Sequence, residues 1–95
     1  MAKPAEQWTD EERQLVEWLA DMNEDDALPL AKRFLLEDKV DPMHVLDLCR
    51  AAMDIVGKRF EEGEYFLPEL VLAGEMLDSI GAVAKPLVKA AGGGA

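Results

Sequence analysis

Apolar residues in this chain recur at spacings of three and four, and nowhere do they alternate with polar ones for long enough to make a strand, so helices are the natural way to bury them. Leu15, Trp18, Leu19 and Met22 fall at i, i+3, i+4 and i+7 and define one stripe, while Glu11, Arg13, Glu17 and Asp21 populate the rest of that helix. Its start is marked by Thr9, a capping residue with Glu12 three positions on to complete the reciprocal box. Asn23-Glu24-Asp25-Asp26 reads as an acidic, cap-forming connection. A second helix is expected from about Ala27 to Asp38, with Pro29 tolerable in its first turn and Leu30, Ala31, Phe34 and Leu35 facing inward. Val40-Asp41-Pro42 signals a third helix, Asp41 as the cap and Pro42 at the first helical position, with Leu46, Cys49, Met53 and Val56 along its apolar face. Gly63 gives the backbone freedom for a turn within Glu61-Glu62-Gly63-Glu64, and Pro68 opens a fourth helix carrying Leu70, Ala73, Met76, Leu77 and Ile80.

Short loops between four amphipathic helices predict an all-α fold, an antiparallel four-helix bundle. The 95 residues suffice for one domain and no second. Residues 1–8 read as a flexible leader, 9–90 as the helical domain, and 91–95 as a Gly-rich tail or the start of a linker. The chain is expected to fade beyond Lys85-Pro86.

Charge and chemistry narrow the function further. Twenty acidic against ten basic residues give a net charge of -10, which repels phosphate backbones and anionic lipid, so neither nucleic acid nor a membrane is an expected partner. The acidity is read as the solvated outer faces of helices. Charged residues interrupt every apolar stretch before it reaches membrane-spanning length. A lone cysteine and the lack of a basic-then-apolar leader suggest a reducing, cytoplasmic setting. One histidine, His44, one cysteine, Cys49, and one serine, Ser79, supply neither a nucleophile with its base nor a metal cluster, so the chain is not expected to be an enzyme on its own. Cys49 reads as a small core hydrophobe and His44 as a solvent-facing residue near a helix start.

One segment is more specific. From Met53 to Pro68 the order is M-x-x-V-G-x-x-F-x-x-G-x-x-F-L-P, followed by Ala73 and Met76 on the next helix. This order resembles the helical cap domain of methionine synthase and of the corrinoid proteins that serve methylamine, methanol and related methyltransferases. The resemblance covers most of residues 10 to 90 and is specific in its central motif. It implies a four-helix bundle over the upper face of cobalamin, shielding the cobalt-bound methyl group, with a doubly wound domain holding the cofactor from below and a corrinoid methyltransferase as a further partner. Carried over residue by residue, it makes Phe66 the position that packs on the corrin and Ala73 a second contact, with Leu70 between them. Gly57 and Phe60 match the motif too, and are read as packing residues: close helix approach for the glycine, core filling for the ring.

The chain departs from the family in lacking the D-x-H-x-x-G loop that ligates cobalt from the lower side. Cobalamin would therefore be met at its upper face only, and the lower domain would come in cis from a longer protein or in trans from a partner. The rival reading is a non-catalytic interaction or regulatory bundle that binds no cobalamin and docks through its acidic faces or its apolar end. An exposed Phe66 patch could also join two copies of the isolated chain as a homodimer.

Overall fold

The computed structural model describes residues 4–91. Four helices form the fold: α1 (Asp10–Ala20), α2 (Glu24–Leu36), α3 (Pro42–Glu61) and α4 (Leu67–Ala91), after a short 3-10 turn at Ala5–Gln7. Among the described residues there is no strand. Two of the expected caps are present, whereas Asn23, the residue before α2, makes no capping hydrogen bond through its side chain. Thr9 and Glu12 complete the reciprocal box at the start of α1, and Asp41 accepts a hydrogen bond from the Met43 N–H at 3.0 Å with Pro42 beginning α3.

Consecutive helices reverse direction. Glu12 meets His44 at one end and Ala20 meets Arg59 at the other, so α1 and α3 run parallel, as do α2 and α4. Each helix packs mainly on two neighbours in the circular order α1, α2, α4, α3, with the α2–α3 connection crossing between diagonal positions. Leu15, Leu19, Val45, Leu48, Met76 and Ile80 are fully buried and form the centre of one core. Phe34, Ala52 and Ala84 extend it.

Three expectations about elements change. α2 begins at Glu24, three residues before the expected Ala27, because Met22 adopts a positive φ of 62° and closes the end of α1 within two residues. The Met22 N–H donates to the Leu19 carbonyl and the Asn23 N–H to the Trp18 carbonyl, so Glu24, Asp25 and Asp26 fall in the first turn of α2, where carboxylates suit the positive end of the helix dipole. Pro29 consequently lies beyond the first turn. Second, α4 does not fade at Lys85-Pro86 but continues through Pro86 to Ala91, since Leu87 still has the core to pack against. Third, Phe60 does not fill the core. It is 40% exposed at the last turn of α3, one turn beyond the layer that Val56 closes, and a Cβ added at Gly57 would meet nothing within 4 Å, so no close helix approach needs that glycine. Residues 1–3 and 92–95, parts of the expected leader and tail, lie outside the described residues.

Candidate functional site

The α3–α4 turn is built by hydrogen bonds that the sequence pattern only partly announces. Gly63 has φ of +82°, the left-handed conformation a helix end most often assigns to glycine. Its N–H donates to the Phe60 carbonyl at 3.1 Å, and the N–H groups of Glu64 and Tyr65 both donate to the Arg59 carbonyl, at 2.8 and 3.1 Å. The end of α3 is thereby satisfied in a fixed shape.

That turn is then tied to α1. Arg59 Nη1 donates to the Ala20 carbonyl at 2.9 Å, to Asp21 Oδ1 at 2.8 Å and to the Tyr65 hydroxyl at 2.9 Å, while the Tyr65 hydroxyl donates to the Ala20 carbonyl at 2.6 Å. Ala20 is the last residue of α1, so its carbonyl lacks an intrahelical donor and carries part of the negative end of the dipole. A guanidinium is the natural partner there. Hydrogen bonds to Asp21 and Tyr65 push the Arg59 pKa above its ordinary value, and the group stays charged. The guanidinium also lies 5.5 Å from the centre of the Tyr65 ring.

The next residue is released rather than held. Phe66 sits at the N-terminal boundary of α4, its N–H donating to Glu69 Oε1 at 2.7 Å, and its side chain is 66% exposed. Pro68 occupies the first turn, where its missing N–H leaves no carbonyl unpaired. Leu67 (66%) and Val71 (63%) are equally bare, and Leu70 is half-buried. Phe66 and Leu70 are one helical turn apart on adjoining surface, with Leu67 and Val71 forming a second row beside them. Ala73 does not join this surface. It is 2% exposed and faces the core with Met76.

Of the expected site residues, then, Phe66 and Leu70 lie together at the bundle end, and Ala73 is buried on the inner side of the same helix. Leu67 and Val71 belong to the same patch and were not singled out by the sequence, although spacing alone would have placed them opposite Met76 and Ile80 on α4. Arg59 and Tyr65 were also missed. Glu61, Glu62, Glu64 and Glu69 flank or interrupt the patch in the chain.

Two further groups expected to bear on chemistry, His44 and Cys49, lie apart from this end of the bundle. His44 is not solvent-facing, as its place near a helix start suggested: Nε2 lies 2.8 Å from Glu12 Oε2, with the two side chains 12% and 6% exposed. The pair bridges the starts of α1 and α3, and sixteen residues at 1.5 Å each put it about 24 Å along α3 from Phe60. Cys49 is buried as expected, and burial pushes its thiol pKa up to about 12. Among the described residues no group of histidine, cysteine and carboxylate side chains could hold a metal ion. No described helix is long and apolar enough to cross a membrane.

Against known families, residues 11–85 match the model of the B12 binding domain, the helical cap domain of cobalamin-binding proteins. The chain belongs to this family. The match spans all of the α3–α4 turn and the exposed patch beyond it. The cap domain is a non-catalytic module of B12-binding proteins, and this chain is accordingly a cobalamin-associated helical cap. No solved structure matches the chain significantly.

Proposed function

We propose that this chain covers the upper face of a protein-bound cobalamin in a corrinoid-dependent methyl-transfer system, with Phe66 and Leu70 as its apolar lid. The observation that carries the reading is the pairing of Tyr65, locked by hydrogen bonds to Ala20 and Arg59, with Phe66, turned outward on the next residue. A large apolar ring left bare at a rigid turn is suited to a face supplied from outside.

The residues fit that group. The patch offers aromatic and aliphatic carbon and no metal ligand, which suits contact with a corrin face whose cobalt is held from the other side. Cobalamin, when bound, supplies the cobalt that carries the transferred methyl group. The chain's own contribution is to exclude water: Phe66, Leu67, Leu70 and Val71 form a surface on which water finds no partner. Ala73 lies on the inner side of the same helix, buried beneath this surface. The lower half of the site would come from a doubly wound cobalamin-binding domain, in the same protein or a separate chain, and a methyltransferase would gain access when the cap moves aside.

The test combines the chain with methylcobalamin carried on such a domain and follows photolysis in the visible spectrum. The native chain should slow the loss of the methyl group and Phe66→Ala should abolish most of that protection, with little change between 50 and 500 mM salt. Equal protection by Phe66→Ala would overturn the lid. Association that weakens steeply with salt would instead favour docking through the acidic faces.

A further inference from the structure

Gly74 lies well inside α4, on the exposed side of the helix. A Cβ built there meets no atom within 4 Å, so nothing within the described chain requires the side chain to be missing. Glycine is the poorest helix former apart from proline, and an exposed helix interior is where that weakness is felt without compensation from packing. The position is telling. Gly74 follows Leu70 by four residues and Phe66 by eight, and it follows Val71 by three and Leu67 by seven, so both rows of the bare apolar patch run onto it. Large apolar side chains cover the first turns of α4, and at the next turn the surface drops to backbone. Its neighbour Ala73 cannot serve as the contact there, because it is closed into the core.

We infer that Gly74 is the point of closest approach between α4 and the cobalamin beneath the cap. It is the third member of the row Phe66, Leu70, Gly74, and its missing side chain lets the corrin edge reach the helix backbone. This rests on the reading of the Phe66 surface as a cobalamin lid. A β-carbon at this position occupies the contact zone, and each further carbon holds the lid farther off. The glycine is a determinant of fit that lowers the stability of the free chain.

The experiment measures two quantities on the full chain: the thermal midpoint alone, and the binding heat with methylcobalamin carried on a doubly wound corrinoid-binding domain. Gly74→Ala should raise the midpoint by about 5 °C and weaken binding about tenfold, with Gly74→Leu weakening it further at no loss of midpoint. Gly57→Ala, at the other helical glycine with open space around it, should raise the midpoint and leave binding unchanged. A more stable Gly74→Ala that binds as tightly as the native chain overturns the inference. So does a less stable one, since the glycine would then have a role within the fold. Phe66→Ala measured alongside separates the two levels: loss of binding in Phe66→Ala with an unaffected Gly74 series removes only the role of Gly74. Absence of methylcobalamin binding by the native chain, free or domain-held, removes the lid and this inference together.

Discussion

On its inner side α4 presents Ala73, Met76, Ile80 and Ala84, all closed off by the other three helices; on its outer side, near the N-terminus, it presents Phe66, Leu67 and Val71, each about two-thirds exposed. The residue types on the two sides are similar. α1 shows what a helix with one task looks like: Leu15, Val16 and Leu19 face in, while Asp10, Glu11, Arg13 and Glu17 face out. A helix that is apolar on one side is explained by the fold, whereas one that is apolar on two sides needs a second apolar partner. In α4 the inner side makes the bundle and the outer side is left bare near the N-terminus.

The sharpest way to break that comparison is to truncate one residue on each side. Ile80→Ala should destabilise the chain by about 3 kcal/mol, because it removes buried carbon and leaves a cavity, whereas Val71→Ala should change stability by less than about 0.5 kcal/mol. Urea denaturation of the two variants measures both. A Val71→Ala variant that loses as much as Ile80→Ala would mean that the outer side is packed in solution, by a second copy or by the chain itself.

A smaller effect is expected from the residues that separate the two sides at the turn. Arg59→Ala removes donors from the Ala20 carbonyl, Asp21 and Tyr65, and should cost about 2 kcal/mol, while Tyr65→Phe removes one donor from a carbonyl that keeps Arg59 and should cost about 1 kcal/mol. Hydrogen exchange at the Glu64 and Tyr65 amides, both bonded to the Arg59 carbonyl, reports whether the turn loosens. If Arg59→Ala leaves both stability and exchange unchanged, the turn is held by its backbone closure alone and the presentation of Phe66 needs no anchor on α1.

How much of this was legible beforehand follows from what kind of signal each feature leaves. Helix count, two of the caps and the inward stripes of α1 and α4 were readable, because Thr9 with Glu12, Asp41 with Pro42 and the spacing of Leu15, Leu19, Met76 and Ile80 are local patterns. On α3, by contrast, the buried side is carried by Val45, Leu48 and Ala52 with Cys49 and Val56, and the expected Leu46 and Met53 are only half-buried. Phe66 and Leu70 are marked by a motif, and in the structure Phe66 is exposed, Leu70 half-buried and Ala73 buried. The start of α2 was misread because its turn rests on a methionine at positive φ, which no residue preference announces. The end of α4 was misread because Pro86 usually stops a helix, and only the distant contact of Leu87 with the core overrides that local preference. His44 with Glu12 and Arg59 with Ala20 join residues 32 and 39 positions apart, and single-sequence periodicity carries no information about such pairs.

The smallest expected effect compares how packed and bare surfaces treat an ionisable group. Cys49 is buried on α3, and desolvation of the thiolate raises its pKa from 9.0 to about 12. The folded state thus keeps its thiol proton where the unfolded chain releases it. This contributes no stability change below pH 9, and stability is lost progressively as the pH rises from 9 towards 12. At pH 10, one unit past the unfolded value, the loss attributable to this thiol is roughly 1 to 1.5 kcal/mol. Urea midpoints of the native chain and Cys49→Ala at pH 7 and pH 10 isolate it, since lysine and tyrosine titration is common to both proteins. The native chain should lose more on going to pH 10 than Cys49→Ala does, and Val71→Cys in the Cys49→Ala background should show no extra loss, because a thiol on the outer side of α4 keeps its water in the folded state. Equal alkaline losses at the two positions would mean that the interior at Cys49 on α3 and the outer side of α4 at Val71 are solvated alike, and the outer side of α4 would not be a bare surface in solution.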